Sequence, residues 1–479
     1  MLLFKREEHY KHYNSMKTYF SLAFLFLFSL GIFSDSFAMQ KDRGEEIARA
    51  MKYFPVNVLG VKPSPDLNDR NFLLYVAKDT WRFFDNSVYL NTGFIPDKIF
   101  IKSKNAAHFT SITNIGLYML CVYQAQQLGF ISREDAVERI GITIKNLLKL
   151  EKYEGFYYNW YEIDVMKPSD KYISTVDSGW LYACLWIIGN AYQEEFGNIC
   201  HQIIDSVDFN KLYDPKMQAF SLGLRPGQGL SPYHYKMLCS EARIAFYQAV
   251  LQKQINPCNW FNLSRTLDST YDQYQKPKGS WRKYDTISYF NGFYKYNDIE
   301  IVPSWGGSIF EFLMPGLLVD ERISEHGMGE NNRRVVASHK DYALNKLKYP
   351  VWGLSPCATP YGGYEEYGVP DLGSAKSPYK NGIVSPHASI LALNYAKDDV
   401  ILNMKNMLRL YPVYGEYGFY DCIKIDSSVV GDTYLALDQA MIFLSIANYL
   451  TDNAMPKLYM KNKEFSQLWD IIKKDEFYK

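Results

Sequence analysis

The residues with chemistry to offer in this chain are carboxylates set beside aromatic rings. Gly155-Phe156-Tyr157-Tyr158-Asn159-Trp160-Tyr161-Glu162 packs rings against an acid, and Ser174-Thr175-Val176-Asp177-Ser178-Gly179-Trp180 puts Asp177 at the opening turn of an apolar helix. Rings that stack on a sugar face, next to acids that move protons, are what a glycan-cleaving site needs. The same residues also fit a plain structural role, with rings filling a core and Asp177 capping a helix. Other acids sit in comparable settings. Glu241, in Ser240-Glu241-Ala242-Arg243, stands at the start of a helix expected over 241–252, where the helix dipole stabilises an acid. Glu311 lies in the apolar run Trp305-Gly306-Gly307-Ser308-Ile309-Phe310-Glu311-Phe312-Leu313-Met314-Pro315. Burial there raises a carboxyl's pKa, or the acid simply bonds a loop backbone. Trp352-Gly353-Leu354-Ser355 leads to Tyr364-Glu365-Glu366-Tyr367-Gly368-Val369-Pro370, and Tyr417-Gly418-Phe419-Tyr420-Asp421 ends an aromatic turn on an acid. Taken singly, each such carboxylate is more often structural than catalytic.

Composition narrows the chemistry. The 479 residues are 47% hydrophobic and 22% charged with a formal net charge of zero, which suits a globular protein and argues against a nucleic-acid partner. The 40 tyrosines offer apolar rings with a hydroxyl, a good surface for carbohydrate. There is no P-loop, no H-E-x-x-H and no G-x-S-x-G. The eight histidines are scattered, and the seven cysteines (Cys121, Cys184, Cys200, Cys239, Cys258, Cys357 and Cys422) form no C-x-x-C pair. The expectation is no metal centre, no cofactor and mostly buried thiols.

These acids must be held by helices. Residues 68–86 read as a helix, and 110–128 as a helix apolar nearly all the way round. The next helix, capped by Ser132, carries one stripe of Ala136, Ile140, Ile144, Leu147 and Leu148. This pairing of a buried helix with a striped one recurs at 176–190 with 194–207 and at 383–396 with 398–410, and 435–450 is a further apolar helix. Alternating inner and outer helices predict an all-α fold of the α/α barrel kind, one domain over 39–479. The stretches 256–301 and 349–380, rich in Gly, Pro, Tyr and Trp, read as long functional loops. Ahead of the domain, an apolar run from Tyr19 to Phe33 and the small-x-small pattern Ser36-Phe37-Ala38 read as a signal peptide over 1–38, with Met16 as an alternative start. The expected location is therefore periplasmic or secreted, without stable membrane insertion after cleavage.

Taken together and in this order, several segments resemble the glucoamylase-like family of bacterial endo-β-1,2-glucanases and the transglycosylating domain of cyclic β-1,2-glucan synthases. They are Thr113-Asn114-Ile115-Gly116-Leu117-Tyr118, Tyr158-Asn159-Trp160-Tyr161, Ser174-Thr175-Val176-Asp177-Ser178-Gly179, Ser240-Glu241-Ala242-Arg243, Trp305-Gly306-Gly307-Ser308, Trp352-Gly353-Leu354-Ser355, Tyr367-Gly368-Val369-Pro370 and Tyr417-Gly418-Phe419-Tyr420-Asp421. The resemblance implies an (α/α)6 barrel, a six-hairpin toroid, and hydrolysis or transfer on a β-glucan, by inversion in the characterised β-1,2-glucanases. It matches Glu241 to the general acid and Asp421 to the general base, with Asp438 as the rival base. Asp177 then binds sugar hydroxyls or assists proton transfer. It also draws Asn159, Trp160, Tyr161, Glu162, Trp305, Glu311, Trp352 and Tyr367 into substrate binding, with at least two of Trp160, Trp305 and Trp352 expected on one cleft. The chain departs from the family where synthase relatives carry a Glu and it has Pro356. It departs again where relatives carry Q-G-P or H-H-Q-G and it has Asp438-Gln439-Ala440-Met441.

The leading expectation is an exported glycoside hydrolase acting on an oligo- or polysaccharide. A polysaccharide lyase, which would leave an unsaturated product, and a glycan-binding protein that has lost its chemistry are the alternatives. The N-terminal reading is tested by sequencing the mature protein from an exporting host. The first residue is expected near Met39, and an intact Met1 or Met16 on a cytoplasmic protein would refute export.

Overall fold

The computed structural model describes residues 43–478. The expected signal peptide lies outside the described residues. After a short helix over 43–49, eleven helices follow in order: α1 (Asp69–Ser87), α2 (Ile112–Gln127), α3 (Arg133–Leu147), α4 (Thr175–Ala191), α5 (Asn198–Asp205), α6 (Arg243–Leu251), α7 (Ile309–Leu313), α8 (Met328–Asp341), α9 (Pro386–Leu391), α10 (Lys397–Leu410) and α11 (Ala436–Leu450). Two more, α12 (Ala454–Tyr459) and α13 (Lys463–Lys474), complete the described chain.

Burial sorts them as the apolar patterns predict. α2, α4, α6, α9 and α11 are buried on nearly every side, and α7 is buried at four of its five positions. α1, α3 and α10 bury one stripe and leave their charged positions in solvent. The buried helices touch in a cycle: α2 on α4, α4 on α6, α7 on α9, α9 on α11 and α11 back on α2. The step from α6 to α7 is closed by one side chain. The Arg243 guanidinium, on α6, donates to the backbone carbonyls of Glu311 and Phe312 on α7 at 3.0 and 2.5 Å. Outside the ring α1 covers α11 and α2, α3 covers α2, α5 covers α4, α8 covers α7 and α10 covers α9. The cover for α6 comes from far along the chain, from α13 and the 3-10 turn Pro257–Asn262. Asp475 fixes that closure by accepting from Trp260 Nε1 at 2.7 Å and from buried Arg265 at 2.5 Å.

Close packing between inner helices depends on missing side chains. A Cβ on Gly116 of α2 would lie 3.1 Å from the Cys184 side chain on α4, and one on Gly179 of α4 would lie 2.7 Å from the Ala245 backbone on α6.

Short antiparallel strands precede several inner helices. Phe109–Ser111 leads into α2, Ile173–Ser174 into α4, Ile383–Val384 toward α9 and Thr433–Leu435 into α11. Their partners come from other loops: Trp160–Glu162, Gly223–Arg225, Ile423–Lys424 and Lys98–Phe100. Two expectations are corrected here. The helix expected over 383–396 is a strand, the six-residue α9 and a 3-10 turn, because Pro386 fixes the first helical position and leaves residue 385 extended. The stretch 256–301 is not mainly loop. It holds a long hairpin of Lys278–Tyr284 and Ile287–Tyr296, extended by Ile299–Ile301. The remaining stretch, 349–380, is mostly irregular, with the short pair Cys357–Ala358 and Tyr364–Glu365 and the 3-10 turn Pro370–Leu372. All seven cysteines are free thiols. No helix among the described residues is long and apolar enough to cross a membrane.

The packing at Gly179 gives a test with a sign opposite to helix propensity. Alanine stabilises an exposed helix position over glycine by about 1 kcal/mol. Here the added methyl meets backbone of α6, so Gly179→Ala is expected to destabilise by about 1–3 kcal/mol in urea unfolding. A variant as stable as the parent would show that α4 and α6 do not pack this closely.

Candidate active site

The inner helices bring their N-terminal ends to one mouth, and each end carries a polar or titratable side chain. Thr113 and Asn114 belong to the first turn of α2, Asp177 to that of α4, Glu311 to α7, His387 to α9 and Asp438 to α11. Glu241 stands in the turn just before α6, two residues earlier than a helix over 241–252 would have it. Contacts between neighbouring ends run round the ring. Thr113 Oγ1 donates to Asp177 Oδ1 at 2.6 Å, Arg243 joins Ser240 to Glu311, and His387 Nδ1 lies 3.0 Å from Asp438 Oδ2. Asp97 links α11 to α2: its carbonyl accepts from Ala436 N and its carboxylate from Asn114.

Asp177 is held from three sides. Besides Thr113, Ser174 Oγ donates to Oδ2 at 2.5 Å. Asn159, with its amide nitrogen toward the acid, donates to the two oxygens at 3.2 and 3.0 Å, while its carbonyl accepts from Trp160 Nε1 at 3.1 Å. The antiparallel pair Ser111↔Trp160 places Asn159 there. Burial raises the Asp177 pKa, and the Ser174 and Thr113 hydroxyls partly oppose the rise.

Glu241 is partly open to the mouth yet hemmed in by protein. Burial first, and then the charge of Glu311, push its pKa up to about 7. A backbone N–H and Ser240 Oγ, which donates at 3.2 Å, restrain the rise. Tyr235 is close enough to Glu241 and Asp177 to feel both charges.

Opposite them lies a second cluster of buried titratable groups. Asp421 and Asp438 are buried, hydrogen-bonded to each other and adjacent to buried His387. Burial and the charge of Asp438 push the Asp421 pKa well up, and burial takes Asp438 up to about 7. Burial also takes the His387 imidazole down to about 4, so it is neutral at neutral pH. Ala358 N donates to Asp421 Oδ2, fixing the acid from the 349–380 stretch. The two acids expected as rivals for one role are therefore a pair. Among the described residues, His387, Asp421 and Asp438 form the one group within reach of a common metal ion, their ligand atoms all within 4.8 Å of one another.

Several residues expected to line the pocket do other work. Trp352 is 2% exposed and exchanges hydrogen bonds with the Asn403 side chain, so it belongs to the core. Tyr161 is fully buried, with its hydroxyl donating to Glu151 O and accepting from Tyr158 N. Tyr367 is buried with its hydroxyl on Glu365. Glu162 pairs with Arg43 at 2.8 Å. Glu311 accepts four hydrogen bonds, from Ser304 Oγ, Gly306 N, Ser308 N and Ser308 Oγ, and so ties down the Trp305-Gly306-Gly307 turn. Trp160 is half-buried and Trp305 is 37% exposed, which leaves these two of the three tryptophans with surface to offer a ligand. Pro356 and Ala440 are both buried, and at Pro356 the chain lacks the carboxyl that synthase relatives carry. Sequence reasoning passed over His387 and Tyr235. The signal for His387 was present in Ser385-Pro386-His387, a helix start with Pro at its first position. Nothing local marks Tyr235.

The Glycoamylase family model matches residues 267–463, and a model described as a protein of unknown function (DUF3131) matches residues 75–222. The cyclic β-(1,2)-glucan synthase NdvB of Rhizobium meliloti is 22% identical over 78% of this chain and 17% of its own length. The exo β-1,2-glucooligosaccharide sophorohydrolase (non-reducing end) of Parabacteroides distasonis is 21% identical over 83% of this chain and 57% of its own. The chain thus spans about a sixth and just over half of the length of these curated relatives. Among solved structures, the endo-β-1,2-glucanase of Chitinophaga pinensis, held with sophorotriose and glucose, superposes with a TM-score of 0.68 at 17% identity, covering 85% of this chain and 98% of that one. The glucoamylase-like resemblance read from the motifs is borne out.

The Glu241 environment predicts a pH-dependent change in stability. Its folded pKa of about 7 lies above the ordinary value, so ionisation penalises the folded state. The penalty is absent at low pH, grows as pH rises from about 4 to 7 and is constant above that. Glu241→Gln removes it. Relative to the parent, the variant is expected to gain roughly 2 kcal/mol in urea unfolding on going from pH 5 to pH 8, partial exposure having trimmed the full linkage value. A pH-independent difference would mean that Glu241 is not held protonated by its surroundings.

Proposed function

We propose that this chain is an exported (α/α)6-barrel glycoside hydrolase that cleaves β-1,2-linked glucan by inversion, with Glu241 as general acid and the Asp421–Asp438 pair supplying the base. The observation that carries the reading is the order of helices round the ring. From α6, which follows Glu241, it is three steps in either direction to α11, which carries Asp438. The two acidic centres therefore face each other across the mouth. A sugar between them is protonated on its leaving oxygen from one side, while water is activated on the other. Half-buried Trp160 and exposed Trp305 supply apolar faces for sugars.

The chemistry follows from the environments. Glu241 is protonated near neutral pH and has its carboxyl at the mouth, as a general acid requires. Asp177 is anchored by two hydroxyls and an amide and serves as an acceptor for sugar hydroxyls beside the acid. The β-1,2 linkage is drawn from the activities of the Parabacteroides and Chitinophaga proteins.

The purified chain is to be assayed on β-1,2-, β-1,3-, β-1,4- and β-1,6-glucans, with anomers followed by NMR. Release of sugar from β-1,2-glucan with inversion is expected. Activity should fall as pH rises through about 7, where Glu241 loses its proton. Glu241→Gln is expected to slow turnover by about 10²–10⁴-fold. Near-full activity in that variant would transfer the acid role elsewhere. Product carrying a new double bond would make the protein a lyase.

A further inference from the structure

The strongest anomaly in the molecule is a set of buried polar atoms with no partner outside their own cluster. His387 Nδ1 and Nε2, Asp421 Oδ1 and both Asp438 oxygens make no hydrogen bond to the rest of the protein, and all three side chains are at most 2% exposed. A single orphaned buried polar group costs about 1–3 kcal/mol, so this many together point to a ligand that satisfies them.

We propose that His387, Asp421 and Asp438 form a binding site for a divalent transition-metal ion, a site independent of the hydrolase reading and whose occupation takes the Asp421–Asp438 pair out of the role of direct base. Each residue offers one ligand atom, and these atoms lie within 4.8 Å of one another. The His387 Nδ1 to Asp438 Oδ2 separation is 3.0 Å, yet the two atoms do not make an acceptable hydrogen bond. Two ligands at right angles on one ion, each about 2.1 Å from it, stand about 3 Å apart. The separation is thus that of neighbouring ligands on a common centre. Ala358 N anchors Asp421 through its other oxygen, Oδ2, and leaves Oδ1 free for an ion.

One imidazole with two carboxylates suits Zn²⁺, Co²⁺ or Mn²⁺ better than Mg²⁺ or Ca²⁺, which prefer all-oxygen sites. Each ligand comes from a separate part of the ring: His387 from α9, Asp438 from α11 and Asp421 from the loop after Gly418–Phe419. An ion here ties together elements that meet only in the folded chain.

The site is tested without reference to turnover. The full chain, stripped with chelator and dialysed, is titrated with Co²⁺ while its visible ligand-field absorption and bound metal are measured. One ion per chain is expected, with a saturable visible band, and the band is expected to vanish in His387→Ala and in Asp438→Asn. As a control on folding, the parent should show a metal-dependent rise in Tm that His387→Gln lacks while keeping the parent's metal-free Tm. No saturable uptake by the parent, or a band that survives in His387→Ala, would overturn the assignment. So would a Tm rise of equal size in parent and His387→Gln, since the ion would then sit elsewhere.

Discussion

The ring of inner helices depends on Arg243. Neighbouring helices elsewhere in the ring meet by side-chain packing, but α6 and α7 are joined by a guanidinium that reaches two carbonyls of the next helix. The charge is held from behind by Glu321, which accepts from Nε and Nη2 at 2.7 and 2.8 Å in a fully buried pair. Tyr247 and Asn332 donate to the same carboxylate, so the ion pair is saturated with hydrogen bonds. Removing one partner from such a pair costs about 3–5 kcal/mol, because the other charge is stranded in a dry interior. Arg243 also donates to Ser240 O, one residue before Glu241. The side chain that closes the ring therefore also fixes the turn that carries the proposed acid.

Closure of the ring sets the electrostatics of the mouth. Helix N-terminal ends are positive and their first N–H groups lack partners, so a ring of them favours acids at these positions. Burial works in the opposite direction and raises each carboxyl's pKa. The balance differs from acid to acid. Glu311 takes four hydrogen bonds and becomes part of the scaffold. Glu241 stands outside its helix with few donors and a charged neighbour, and keeps its proton up to about pH 7. Asp421 and Asp438 have each other and His387, and are the least satisfied of all. The same residue type thus has three different chemical states within one mouth.

The strand segments have a positional role. By pairing loops just ahead of α2, α4, α9 and α11, they fix the direction from which each helix enters the ring. One of these pairs also delivers Asn159 and Trp160 to Asp177. The likeness to longer curated relatives covers 78% and 83% of the chain.

By itself the sequence determined the helices and their two kinds. The all-round apolarity of α2, α4 and α11 and the single stripes of α3 and α10 are local properties of a 3.6-residue repeat, and burial in the structure follows them. The acids near helix starts were legible for the same reason, since capping patterns lie within a few residues of one another. What lay beyond reach was non-local. That Trp352 and Tyr161 are core, and that Glu162 pairs with Arg43, depends on partners dozens of residues away. The hairpin over 278–296 was hidden because its strands pair mainly with each other and bury few side chains, leaving no clean alternation to read. The pairing of Asp421 with Asp438, and the presence of His387 beside them, was decided only when α9 and α11 packed together. Local repeats specify what kind of surface each helix has, but the energy of a buried carboxyl depends on which charges the closed ring brings within a few ångströms of it.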